Sequence, residues 1–192
     1  MQNSFFSMLF RMKYIDRWAL MRNSRQETLT EHAMETAVLA HALALIGNAR
    51  CGKKYNCDRA AVLGLFHDAH EILTGDMPTP VKYQNEEICN AFKSVEAAAN
   101  RDLLAMLPDD LREFYRQPIE ESDMELKPLV KAADKLAALI KCMDERKAGN
   151  AEFICAEATV KEAIHEMKMD EAEIFMNEFL PAFECTLDEM RQ

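Results

Sequence analysis

The chain is short of positive charge, of glycine and proline, and of long apolar runs, and each shortage excludes something. Lys and Arg number 23 against 33 Asp and Glu, a formal net charge of −10. Binding a nucleic-acid polymer through its phosphates needs a basic face, so no such polymer is expected as a partner. An acidic protein can still act on a small phosphate ester if a metal ion or a few placed Arg and Lys side chains supply local positive charge. No stretch approaches the roughly 20 apolar residues that cross a bilayer, so no membrane partner is expected. The apolar run 5–10 has no basic residue before it and Arg11 and Lys13 after it, a poor match to a secretory leader, so the expected location is cytoplasmic. The six cysteines form no C-x-x-C pair and no metal-finger spacing, which points to reduced thiols rather than a disulfide or finger framework.

Five Gly and six Pro in 192 residues leave few breakpoints, and the abundant Ala, Leu, Met, Glu and Lys favour helix. The length suits one domain, 1–192, with a core of its own. The pattern predicts five or six helices with short connections and no strands, an all-α domain. Phe5, Met8, Leu9 and Met12 share a face of a helix over about 4–15. An irregular, Arg-dense segment 16–25 follows and holds the only Trp, Trp18. Thr28 and Glu31 have capping-box spacing, and the next helix carries Met34, Ala37, Val38, His41 and Leu45 on one stripe. A helix over about 58–73 contains His67 and ends before Gly75; Pro78 and Pro80 then set an extended turn. Another helix covers 86–106. Segment 108–127, acidic and broken by prolines, reads as a mobile surface stretch, with a solvated loop over 120–123. Leu129, Ala133, Leu136, Ala137 and Ile140 mark a further helix, and the last helices cover 152–168 and 170–191, the second bent at Pro181. The 13 methionines read as core filler.

Chemistry concentrates in LGLFHDAHEILTGDMPTP. Leu63, Phe66, Ile72 and Leu73 make this a buried stretch, yet it carries His67, Asp68, His70 and Glu71. Burying that polarity is costly unless the groups pair or bind a metal. The spacing is not the H-E-x-x-H of metalloproteases, because the second His stands at i+3. The adjacent pair His67-Asp68, with the distant His32 and Asp134, is the better ligand set. Taken alone, Asp134 has two readings, a ligand or a helix-edge acid paired with Lys131 or Lys135; the metal logic favours the ligand. His70 stays open between a group behind the ligands and an exposed side chain. His41 reads as a hydrogen-bonded core histidine and His165 as surface. Mixed nitrogen and oxygen ligands suit cobalt, manganese, zinc, iron, nickel, copper or magnesium without choosing among them.

His32, His67-Asp68 and Asp134 match the H…HD…D pattern of HD-domain metal-dependent phosphohydrolases, which the chain resembles. Arg17-Trp18 with Met21-Arg22, Thr30-Glu31-His32, His67-Asp68-Ala69-x-Glu71, Thr74-Gly75-Asp76-x-Pro78-Thr79-Pro80-Val81-Lys82 and Lys131-x-Ala133-Asp134 look like the bacterial 5′-deoxynucleotidase (YfbR) branch, over nearly the whole chain. The HD dipeptide is generic, whereas TGDxPTPVK with the upstream RW is specific. His70 departs from the pattern, which would carry a small residue there. The resemblance implies an HD-domain helical bundle with one divalent metal ion between helices, held by His32, His67, Asp68 and Asp134. It implies hydrolysis of deoxyribonucleoside 5′-monophosphates to deoxynucleoside and phosphate by attack of a metal-bound water. Glu71 would accept a proton from or orient that water, and Arg17 would clamp the phosphate. Trp18 would crowd the sugar's 2′ position and Asp76 would accept from the 3′-hydroxyl. Thr79, Pro80, Val81 and Lys82 would close the pocket, with His32, Asp68 and Asp134 also facing substrate. A homodimer is implied as well. The alternatives are an HD hydrolase of other specificity (a cyclic-nucleotide phosphodiesterase or nucleoside-triphosphate hydrolase) and a non-catalytic helical module with a structural metal.

Overall fold

Thr28 and Glu31 do form the expected capping box. The Thr28 N–H donates to the Glu31 carboxylate (2.8 Å), and the Glu31 N–H donates to the Thr28 hydroxyl (3.3 Å). This satisfies N–H groups that a helix start leaves unpaired and opens α2 (Leu29–Arg50), which lies at the centre of the protein. The computed structural model describes residues 3–82, 84–120 and 123–191. Before α2 come α1 (Phe5–Leu9) and a 3₁₀ stretch, Phe10–Tyr14, so the expected first helix tightens halfway. After it come α3 (Cys57–Phe66), the one-turn α4 (Glu71–Thr74) and α5 (Thr79–Lys82), and α6 (Glu86–Ala105). The chain continues through α7 (Asp109–Glu120), α8 (Lys127–Lys147), α9 (Ile154–Glu166) and α10 (Asp170–Glu178). Among the described residues the only extended pairing is an isolated bridge between Asp16 and Thr28. The architecture is all-α, as expected.

The main core lies where α2, α3, α8, α9 and α10 meet, around Leu43, Leu63, Leu129, Leu136, Leu139, Ile164 and Phe175. A second cluster joins Phe5, Ala69, Leu103, Leu104, Leu107 and Ile119. The turn 67–70 therefore runs between the two cores, with Leu63 in one and Ala69 in the other.

The structure corrects several local expectations. The stripe Met34, Val38 and Leu45 faces solvent, while Ala33, Leu39, Ala40, Leu43 and Ala44 face the core. This helix is apolar on nearly every side, so its sequence contains two stripes and burial selects the Ala-rich one, which allows close packing. His41 is half-buried rather than in the core. The expected helix 58–73 breaks into α3, a turn and α4: Ala69, Glu71 and Ile72 donate to carbonyls three residues back. Segment 108–127 is not loop throughout, because α7 forms with Pro118 inside it, near its C-terminal end. Of the acidic run 120–123, positions 121 and 122 lie outside the described residues. The last expected helix ends at Glu178, and Pro181 sits in a following 3₁₀ stretch, Leu180–Glu184.

Two fastenings set the spacing of α2, α3 and α8. The first is Gly64, where a Cβ would stand 2.9 Å from the Ala37 Cα and 3.0 Å from the Thr36 carbonyl oxygen. Only glycine lets α3 approach α2 that closely. The second is Glu145 on α8, which is almost fully buried. It accepts from the Ser24 N–H (2.8 Å), the Ser24 hydroxyl (2.6 Å), the Arg25 N–H (3.2 Å) and the Asn150 amide (2.9 Å), and pairs with Lys141. Segment 16–28, which leads into α2, is thereby tied to α8, and its ends are closed by Arg17 N–H to Glu27 carbonyl (3.0 Å) and Leu29 N–H to Ile15 carbonyl (2.8 Å).

Gly64→Ala is expected to lower stability by about 1–3 kcal/mol, because backbone on the far side cannot yield cheaply. Thermal melting checks it, and an unchanged melting temperature would mean that the contact carries no constraint. Burial raises the Glu145 carboxyl, but Lys141, Ser24 and Asn150 outweigh it and hold the group well below its usual 4.5. A carboxyl with a depressed folded pKa contributes stability above its unfolded pKa and loses it as pH falls. Glu145→Ala is therefore expected to cost about 3–5 kcal/mol at neutral pH, the scale for breaking a buried ion pair. Its melting deficit against the unsubstituted protein should narrow as pH falls below about 4.3; a deficit independent of pH would refute the charge argument.

Candidate active site

His32 lies one turn into α2 and is fully buried. His67 ends α3, Asp68 follows it in the turn, and Asp134 comes from the middle of α8. The His32 Nε2 is 3.2 Å from Asp134 Oδ1 and 3.6 Å from Asp68 Oδ2. The His67 Nε2 is 2.8 Å from Asp68 Oδ2, and the two imidazole rings are 5.1 Å apart between centroids. One ligand atom from each of His32, His67, Asp68 and Asp134 falls within 4.8 Å of all the others. Neighbours on an unbroken helix do not face each other; the His67-Asp68 pair converges where the chain leaves α3.

The donor set fits a divalent cation. His67 Nδ1 lies 2.7 Å from the Gly64 carbonyl oxygen, so it carries the N–H, and Nε2 turns its lone pair toward a carboxylate. A lone pair facing an anion inside a core is repulsive unless a proton or cation stands between them. Without a cation, burial pulls the His67 pKa down, but Asp68 and Asp134 outweigh it and push it up to about 10. Asp68 and Asp134 are held below the usual carboxylate range by the imidazoles, although burial opposes this. A divalent ion removes the same conflict with neutral imidazoles and ionised carboxylates, which are the ligand forms that such ions take.

Glu71 begins α4 beside this cluster, nearly buried, and its Oε2 has no hydrogen-bond partner. Burial first, then Asp68 and Asp76, push its carboxyl up to about 9. Arg17 donates through Nη1 to Glu27 Oε2 (2.6 Å), while its buried Nε has no partner. Its charge acts on Asp134, Asp68 and Asp76. Trp18 adopts a left-handed backbone (φ 61°), its N–H donates to Asp76 Oδ2 (3.1 Å), and its ring lies 5.3 Å from that of Phe153. The structure thus gathers His32, His67, Asp68, Asp134, Glu71, Arg17, Trp18 and Asp76.

The Thr79–Lys82 string differs from expectation. It forms a single helical turn rather than an extended one, and Thr79, Pro80 and Val81 face solvent. Lys82 pairs with Glu96 of α6 at 2.5 Å. His70 is buried, with Nε2 3.5 Å from the same Glu96 oxygen, so it is not the exposed side chain that the sequence also allowed. His165 is a surface residue paired with Glu173. The sequence reading missed Glu27 and Glu96. Neither carries a motif; the only sign of Glu27 is its place beside the capping box, at the end of an Arg-dense segment.

A family model described as 5′-deoxynucleotidase YfbR-like matches residues 4–183. The chain is 44% identical over 194 residues to the 5′-deoxynucleotidase YfbR of Escherichia coli, covering 100% of this chain and 97% of that protein. Among solved structures, an HD-domain phosphohydrolase of Listeria innocua superposes with a TM-score of 0.81 at 20% identity, covering 98% of this chain and 92% of the other. The HD phosphohydrolase DatZ of cyanophage S-2L, bound to dA and one catalytic Zn²⁺, superposes with a TM-score of 0.69 at 18% identity, covering 97% and 100%. These two structures match in fold. With the motif set, the helical fold and full-length similarity in agreement, the chain belongs to the YfbR-like 5′-deoxynucleotidase family.

Proposed function

We propose that the chain is a divalent-metal-dependent 5′-deoxynucleotidase, hydrolysing deoxyribonucleoside 5′-monophosphates to deoxynucleoside and phosphate. The observation that carries this reading is the meeting of Arg17, Trp18 and Asp76 with the His32, His67, Asp68 and Asp134 cluster. Those four side chains hold the ion, which when bound supplies a Lewis acid that polarises water and neutralises phosphate charge.

Each remaining group has a task that its surroundings allow. The Arg17 edge not used by Glu27 includes the unpartnered Nε, and it presents parallel N–H donors to phosphate oxygens. Glu71, whose raised carboxyl would ionise beside a bound cation, would turn its unpartnered oxygen to the attacking water and take or direct its proton. Asp76 spends Oδ2 on the Trp18 N–H and offers its other oxygen to the 3′-hydroxyl. Trp18, fixed at both its N–H groups, walls the sugar's 2′ side. His32, Asp68 and Asp134 border the phosphate. Lys82, anchored on Glu96, holds Thr79, Pro80 and Val81 as the outer rim. The same reading places the protein in the cytoplasm as a homodimer of single-domain subunits spanning 1–192, an arrangement supported by the family likeness.

Phosphate release from dAMP should exceed that from AMP and should vanish on chelation and return with added divalent ion. Equal rates on the two sugars would overturn the roles of Trp18 and Asp76. Glu71→Ala should keep the fold and the bound metal, measured by elemental analysis, and lose on the order of 10²-fold or more in turnover. Undiminished turnover would remove Glu71 from the chemistry.

A further inference from the structure

We infer that Glu27 is the positioning residue that sets both halves of substrate recognition, because one buried carboxylate oxygen aims the Arg17 guanidinium and the Trp18 indole together. The inference rests on the proposed function for what these two side chains recognise; its geometric content stands apart from that. Glu27 Oε2 accepts from Arg17 Nη1 at 2.6 Å and from Trp18 Nε1 at 3.0 Å, with the Glu27 side chain only 7% exposed. The Glu27 carbonyl also accepts the Arg17 N–H at 3.0 Å, so side chain and backbone of Glu27 grip the same neighbour.

Geometry explains why a single acceptor suffices. A guanidinium is a rigid plane, so holding one terminal nitrogen and the main chain orients the rest of the fork. The Nε left buried without a partner then points where an anion must complete it. An indole held at Nε1, with its ring against Phe153, has little rotation left. Consecutive residues ordinarily send side chains apart, but the left-handed backbone at Trp18 turns both onto Glu27. That conformation is costly for a non-glycine residue, and the bonds to Glu27 and Asp76 offset it.

Charge supplies a second reason. Arg17 lies within electrostatic reach of Asp68, Asp134 and Asp76. Its ion pair with Glu27 gives it a fixed partner before substrate arrives, so it need not pair with the carboxylates that the metal requires.

Trp18 is the only tryptophan in the chain, so its fluorescence reports this site directly. In the metal-loaded full chain, Glu27→Ala should shift the emission and raise its quenching by acrylamide. It should also raise KM for dAMP and reduce the preference for dAMP over AMP, each about tenfold, as expected for losing a charged hydrogen bond. Glu27→Gln retains an acceptor and should keep the emission and sugar preference while KM rises severalfold. If Glu27→Ala leaves emission, KM and sugar preference unchanged, or lowers only kcat, Glu27 does not position these groups. If emission and quenching move while the unsubstituted protein shows no sugar preference, positioning stands and the substrate reading fails. Should Glu27→Ala not fold, an unchanged KM in Glu27→Gln overturns the charge-held geometry.

Discussion

The constraint on which the rest of this structure depends is the gathering of two buried imidazoles, His32 and His67, and two half-buried carboxylates, Asp68 and Asp134, with ligand atoms within 4.8 Å of one another. Such a group, at the edge of a core with both imidazoles shut off from water, is repulsive unless a cation or protons stand among its atoms. The fold accepts that conflict and builds it from α2, the end of α3 and α8, helices that also form the main hydrophobic core. Packing therefore holds the ligands in place, and the ion relieves what packing enforces. The Gly64 contact serves the same end, since it presses α3 onto α2 and its carbonyl oxygen fixes the His67 tautomer.

A second layer of the structure uses acids as fasteners. Glu145 ties segment 16–28 to α8, Glu27 ties Arg17 and Trp18 within that segment, and Glu96 ties Lys82 and His70 to α6. Glu145 and Glu27 are buried and Glu96 is half-buried, and the charge of each is met by a cationic partner, Lys141, Arg17 or Lys82. Segment 16–28 contains no long helix or strand of its own to hold its shape. Its precision comes from these side-chain bonds, which lets a loop carry recognition groups at fixed positions.

What could be read from the sequence depended on whether the signal was local. The capping box of Thr28 and Glu31 was legible because its partners lie three residues apart, and the 86–106 helix because its pattern is long. The ligand set was legible because buried polarity asks for a partner. The break between α3 and α4 was not, since periodicity continues across it while hydrogen bonds tighten. Nor was the choice between two apolar stripes on α2, which depends on what packs against it. α7 was hidden by its proline and its charge, although its buried Ile119 joins the second core. Gly64 and Glu27 act on groups brought near by folding, and no spacing in the sequence announces them.

The central claim is that these four side chains share one divalent ion, and anomalous scattering from crystals of the metal-loaded protein tests it most directly. A single peak is expected among the His32 and His67 nitrogens and the Asp68 and Asp134 carboxylates, at ligand distances of about 2.0–2.2 Å if the ion is zinc. A peak elsewhere, or none in protein that turns over substrate, would contradict it.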